Sequence, residues 1–140
     1  MQSYRFENVY IKSVSAVAGP KEKDGPCGKL FDKTYTSLYA EKKTLEEGEK
    51  IMQEDAINIA LIKAGLDIKG PELLISADLN NQLACSSKVA SSYLSSFLGI
   101  YSACASSAEG VILASLLLER SNIKNALISS CLLYTSPSPR

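Results

Sequence analysis

The chain has 140 residues, with 15 Lys or Arg against 15 Asp or Glu, no histidine, 46% hydrophobic and 21% charged residues. That profile fits one globular domain with its own core and excludes a disordered tail as the bulk of the chain. Balanced charge without a basic stripe gives no electrostatic case for nucleic acid. Cys27, Cys85, Cys104 and Cys131 show no C-x-x-C spacing, and without histidine there is no zinc set, so neither a metal nor a cofactor is expected. No signal peptide opens the chain and no apolar run is long enough for a transmembrane segment, so the expected location is cytoplasmic, with reduced thiols.

In chain order, Tyr4 to Val17 interleaves Phe6, Val9, Ile11, Val14 and Val17 with polar residues, which predicts a strand. Gly19-Pro20-Lys21-Glu22-Lys23-Asp24-Gly25-Pro26 stacks breakers and charges and predicts a loop, either a solvated connection or one that borders a site. Lys29 to Tyr39 suits a short helix or a packed loop. A clear helix starts at Thr44, because Thr44-Leu45-Glu46-Glu47 has the capping-box arrangement. Met52, Ala56, Ile59, Ala60 and Lys63, with Ile51 and Leu61 beside them, mark its expected inner face, its charges are expected to form a solvated face, and Gly65 supplies the C-cap.

Glu72 to Asp78 is a short apolar run of the kind that makes a strand buried on both faces. At the carboxyl end of such a strand, Asp78, Asn80, Asn81 and Gln82 lie where open α/β sheets hold ligands, although Asp78 or Asn81 could equally cap the next helix. Ser86 to Ser95 predicts a weaker helix. Phe97 to Ser102 reads as a short buried strand that breaks at small residues and enters a helix, with Cys104 at the break. A thiol there meets unpaired N–H groups and the positive end of the helix dipole, which favour the thiolate; the competing reading is a small buried hydrophobe. The helix that follows carries Val111, Ile112, Ala114, Leu116, Leu117 and Leu118, apolar nearly all round, and is expected to be internal. Asn125 to Ser130 supplies a last strand, and the alternation of strands and helices predicts a layered α/β sheet.

The cysteine at the entry to an apolar helix after a short strand resembles the thiolase-like superfamily, which includes the ketoacyl synthases. Within it the chain is similar to the stage V sporulation protein AD family. The early loop Gly19 to Pro26, followed by Gly28, Leu30-Phe31-Asp32-Lys33 and Tyr35, matches that family's pattern. Ala77-Asp78-Leu79-Asn80-Asn81-Gln82 follows that pattern at the strand end except that Ala77 replaces glycine and Asn80 replaces leucine. Ser102-Ala103-Cys104-Ala105-Ser106-Ser107, followed by Glu109, follows it at the turn with small residues exchanged for small ones at Ser102 and Ala105. The likeness covers Phe6 to Ser130.

The resemblance implies a thiolase-like layered α/β/α fold, of which residues 1–130 form the front part of the first half. It implies a sporulation protein that binds dipicolinate and supports its uptake into the forespore, without catalysis. The expected partners are dipicolinate and spore membrane-channel subunits, with a homodimer when full length, and the expected place is the cytoplasmic side of the spore inner membrane. Cys104 occupies the position of the acyl-accepting nucleophile of the relatives, so the alternative is an acyltransferase or condensing enzyme working through a thioester. Asp78 and Gln82 are the neighbouring ligand candidates. A thiolase site also needs a histidine base, and these 140 residues hold no histidine. Residues 131–140 resemble translated read-through of a sequencing adaptor and are expected to be non-native.

Overall fold

The structure, a computed structural model, describes residues 5–67, 69–77 and 83–131. Its centre is a parallel three-stranded sheet of order β4-β3-β5, formed by β3 (Leu73–Ala77), β4 (Ser96–Gly99) and β5 (Ala126–Ser130). In register, Leu74 lies between Phe97 and Leu127, and Ala77 pairs with Ser130. Every β3 residue is buried, as its unbroken apolar run predicts.

The two faces of β3 build two cores. On one side Leu74 packs with Ile57 and Leu61 of α2 (Leu45–Ala64), and with Cys85, Val89 and Ala90 of α3 (Ala84–Ala90). On the other, Leu73, Ile75 and Ala77 pack with Ile100 and with Ala114 of α4 (Ser106–Arg120). Helices therefore cover both faces, the layered α/β/α arrangement expected of the sequence. Helix α4 lies close to the sheet because residue 110 is glycine; a Cβ there would stand 2.5 Å from Ile128 Cγ2.

Helix α2 forms where its caps require. The Thr44 hydroxyl accepts from the Glu47 N–H at 3.2 Å, Glu47 Oε2 accepts from the Lys43 N–H at 3.2 Å, and Gly65 ends the helix in the left-handed region. Its inner face differs from the expected one. Gly48, Glu49, Gln53, Ile57, Leu61 and Ala64 face inward, whereas Ala56, Ala60 and Lys63 meet the amino-terminal segment. Two faces of this helix carry small or apolar residues, and the long-range partners decide which meets the sheet. The helix charges also depart from a solvated face, since Glu49 is fully buried.

The first strand is much shorter than expected: only β1 (Val17–Ala18) pairs, in parallel with β2 (Lys33–Thr34). The residues before it cross α2 instead, Ser13 Oγ donating to Ala60 O at 2.8 Å and Ser15 Oγ to Ala56 O at 2.6 Å. The breaker-rich stretch is likewise no plain loop. Pro20 opens a single helical turn, α1 (Pro20–Lys23), as proline at a first helical position does, and Gly28–Leu30 forms a 3-10 turn. This region is clasped to α2 by Lys63 to Asp32 and Lys33 to Asp55, both at 2.5 Å, and by the Tyr35 hydroxyl on Asp55.

Three further expectations change. The weaker helix starts at Ala84 and ends at Ala90, earlier than the stretch to Ser95. Strand β4 is an edge strand rather than a buried one, with Phe97 39% and Leu98 37% exposed. Helix α4 is not internal: Val111, Ile112 and Leu116 are exposed, because only one of its faces meets the sheet. Among the described residues no helix is long and apolar enough to cross a membrane.

Candidate functional site

The carboxyl ends of the parallel strands gather at one end of the sheet, the end where open α/β folds bind ligands. Strand β4 runs through Ile100 into Tyr101 and Ser102, and Ala103–Ala105 forms a 3-10 turn that hands over to α4 at Ser106. Cys104 sits in that turn with an exposed, free thiol. It is thus at a helix entry, as the sequence predicts, and it is not the buried hydrophobe of the competing reading.

The turn is tight and braced. Ala103 has φ +48, a left-handed conformation that costs a non-glycine residue about 1–3 kcal/mol. Bonds on both sides hold it there. The Ser102 N–H donates to Ser106 Oγ at 3.2 Å, Ser106 Oγ donates to Ala103 O at 2.8 Å, and the Ser102 hydroxyl donates to Glu109 Oε2 in a short bond. Ser106 is itself buried.

Beside the turn lies a cavity of about 170 Å³ lined by Ala103, Cys104, Ser107, Ser130 and Cys131. Among the described residues its walls offer thiols, hydroxyls and backbone, and no carboxylate, amine or imidazole. No side chain caps the start of α4, and the Glu109 carboxylate lies in its first turn, where the helix dipole favours it. The arrangement can receive an anionic or carbonyl group by hydrogen bonding; its described lining residues supply no general base. Asp78 and Gln82 lie outside the described residues, with Asn80 and Asn81. Ala77, the described residue preceding them, pairs with the cavity residue Ser130.

A second cavity lies elsewhere. About 290 Å³ in volume, it opens between the starts of α2 and α3 and is lined by three glutamates (Glu46, Glu47, Glu49), Lys50, Lys88, Cys85, Thr44 and Ala84. Behind it Gln53 Nε2 donates to Ser76 Oγ at 2.7 Å and to Ser129 Oγ at 3.1 Å, and Ser76 Oγ donates to Ser86 Oγ at 3.2 Å, all within the core. This buried polar network ties α2, β3, α3 and β5 together. Its one sequence signal is the pair Glu49 and Gln53, one turn apart on a helix with apolar neighbours on the same face. Nearby, burial pushes the Tyr93 hydroxyl up to about 12, with Glu54 adding to the shift; it donates to Asn58 Oδ1 at 3.0 Å.

A short strand, a cysteine-bearing turn and an apolar helix behind a layered α/β/α core define a protein of the thiolase-like fold. OleA of Xanthomonas campestris superposes with a TM-score of 0.62 at 20% identity, over 89% of this chain and 43% of that one. The 3-oxoacyl-(acyl carrier protein) synthase III, FabH, of Xanthomonas oryzae pv. oryzae superposes with a TM-score of 0.59 at 20% identity, over 89% of this chain and 44% of its own. The family described as Stage V sporulation protein AD (SpoVAD) matches residues 1–137. The Bacillus subtilis (strain 168) stage V sporulation protein AD is 40% identical over 130 residues, 92% of this chain and 38% of that protein. The chain belongs to the stage V sporulation protein AD family, and it spans well under half the length of these relatives.

Proposed function

We propose that this sporulation protein binds dipicolinate without turning it over and supports its uptake into the forespore, together with spore membrane-channel subunits at the inner membrane. The observation that carries the reading is the wall of the Cys104 cavity, where Ala103, Ser107 and Ser130 present hydroxyls and backbone beside the start of α4, with no base among the described lining residues. A dianion suits the positive end of a helix dipole, and hydroxyls suit its carboxylate oxygens. At about 170 Å³ the cavity is smaller than the ~300–1,000 Å³ of most ligand pockets, so further chain is expected to complete it. Asp78 and Gln82 are the proposed neighbours from the end of β3. Cys131 on the cavity wall falls among residues 131–140, which are proposed to be non-native, and the reading rests on the other lining residues Ala103, Cys104, Ser107 and Ser130. Isothermal titration of dipicolinate should give saturable heat that Ser107→Val diminishes; heat equal to buffer dilution overturns the reading.

The exposed thiol at the helix entry favours one second reading, acyl transfer. The Cys104 sulfur would attack the thioester carbonyl of an acyl-coenzyme A, a new C–S bond forming as the coenzyme A thiolate leaves. Intact-mass analysis should then show an acyl adduct that Cys104→Ser abolishes, and no adduct leaves binding as the function.

A further inference from the structure

We propose that Glu109 is the positioning residue of the Cys104 turn: by accepting the Ser102 hydroxyl it keeps Ala103 in its left-handed conformation and the thiol turned to the cavity. The inference rests on the reading of that cavity as the site. A carboxylate near a helix start is favoured by the dipole whatever it touches. Glu109 does more, because its bond reaches back across the turn to the residue preceding the strained one. Ser106 completes the brace, tying the Ser102 N–H and the Ala103 carbonyl to one buried hydroxyl. The 3-10 turn holds the two carbonyls by backbone bonds, Ala105 N–H to Ser102 O at 2.9 Å and Ser106 N–H to Ala103 O, and the Glu109 bond adds a side-chain anchor to it. Without Glu109 the Ser102 hydroxyl loses its acceptor, the Ser106 bond to the Ser102 N–H is left to hold that side, and Ala103 relaxes toward the ordinary region that alanine prefers.

The test is the alkylation rate of Cys104 in the 140-residue chain, read by peptide-resolved mass spectrometry. The Cys104 sulfur attacks the methylene carbon of iodoacetamide, a C–S bond forms, iodide leaves and the thiol proton passes to solvent. Exposed Cys27 is the internal reference, and buried Cys85 reports global opening. Glu109→Ala and Ser102→Ala are each expected to slow Cys104 about tenfold relative to Cys27, the scale of one lost strain-holding contact. Glu109→Gln keeps an acceptor oxygen and should hold near the wild-type rate. Ala103→Gly added to Glu109→Ala should recover most of the rate, because glycine takes positive φ without a Cβ clash. An unchanged or faster Cys104 in Glu109→Ala, or no recovery on adding Ala103→Gly, overturns the proposal; where Glu109→Ala exposes Cys85, Ser102→Ala decides on the same terms. Alkylation needs no dipicolinate, so failed binding with this rate pattern intact would remove the function and leave the positioning role.

Discussion

Single side chains in the core carry polar duties that their helix does not advertise. Gln53 donates to Ser76 and Ser129 where water cannot replace it. Gln53→Ala would take the Gln53 partner from Ser129 and leave Ser76 with its bond to Ser86, and a loss of about 1–3 kcal/mol is expected; an unmoved urea midpoint would contradict it. Gly48 offers a sharper case. On an exposed helix Gly→Ala gains about 1 kcal/mol of propensity. Here a Cβ at residue 48 would stand 2.6 Å from the Tyr39 carbonyl oxygen, so Gly48→Ala should lower the midpoint instead. A rise would show that the 37–42 turn moves aside freely.

Between elements, α2 acts as the post to which the amino-terminal third is tied. The Lys63 ammonium bonds Asp32 and, with the Ala16 N–H, holds that carboxyl below its usual range. A carboxyl depressed on folding contributes stability above its unfolded pKa and loses it as pH falls through the folded one. The contribution of this clasp should therefore be complete above about pH 4 and disappear below it. Asp32→Asn should flatten that part of the acid limb in a pH series of urea midpoints, and an identical limb in both proteins would exclude the pair as a contributor. The pair is solvent-exposed, so raising ionic strength should shrink the difference.

At the scale of the whole molecule, the outward face of α4 is the exception to a sheet otherwise covered on both sides. Val111 is 48%, Ile112 56% and Leu116 38% exposed, and β4 leaves one edge open. Exposed apolar side chains and open strand edges each promote association. The 140-residue chain should self-associate at micromolar concentrations in analytical ultracentrifugation, and Val111→Lys with Ile112→Glu should shift it toward monomer. A wild-type monomer at those concentrations would refute this.

What the sequence determined by itself was local. Thr44 with Glu47 and then Gly65 mark the ends of α2, because caps are hydrogen bonds within one turn of chain. The unbroken run Leu73 to Ala77 marks a central strand, and Cys104 marks the entry to a helix, which the family pattern around it also specifies. The tertiary structure alone decided which side of α2 meets the sheet, that Glu49 and Gln53 go inside, that β4 is an edge and that α4 keeps an uncovered face. Those outcomes depend on which distant segments meet: Ser13 and Ser15 occupy the Ala56 and Ala60 side of α2 and leave Gln53 for the strands. Periodicity reports that a helix has an apolar side; only the partners, far away in the chain, select among the sides it has.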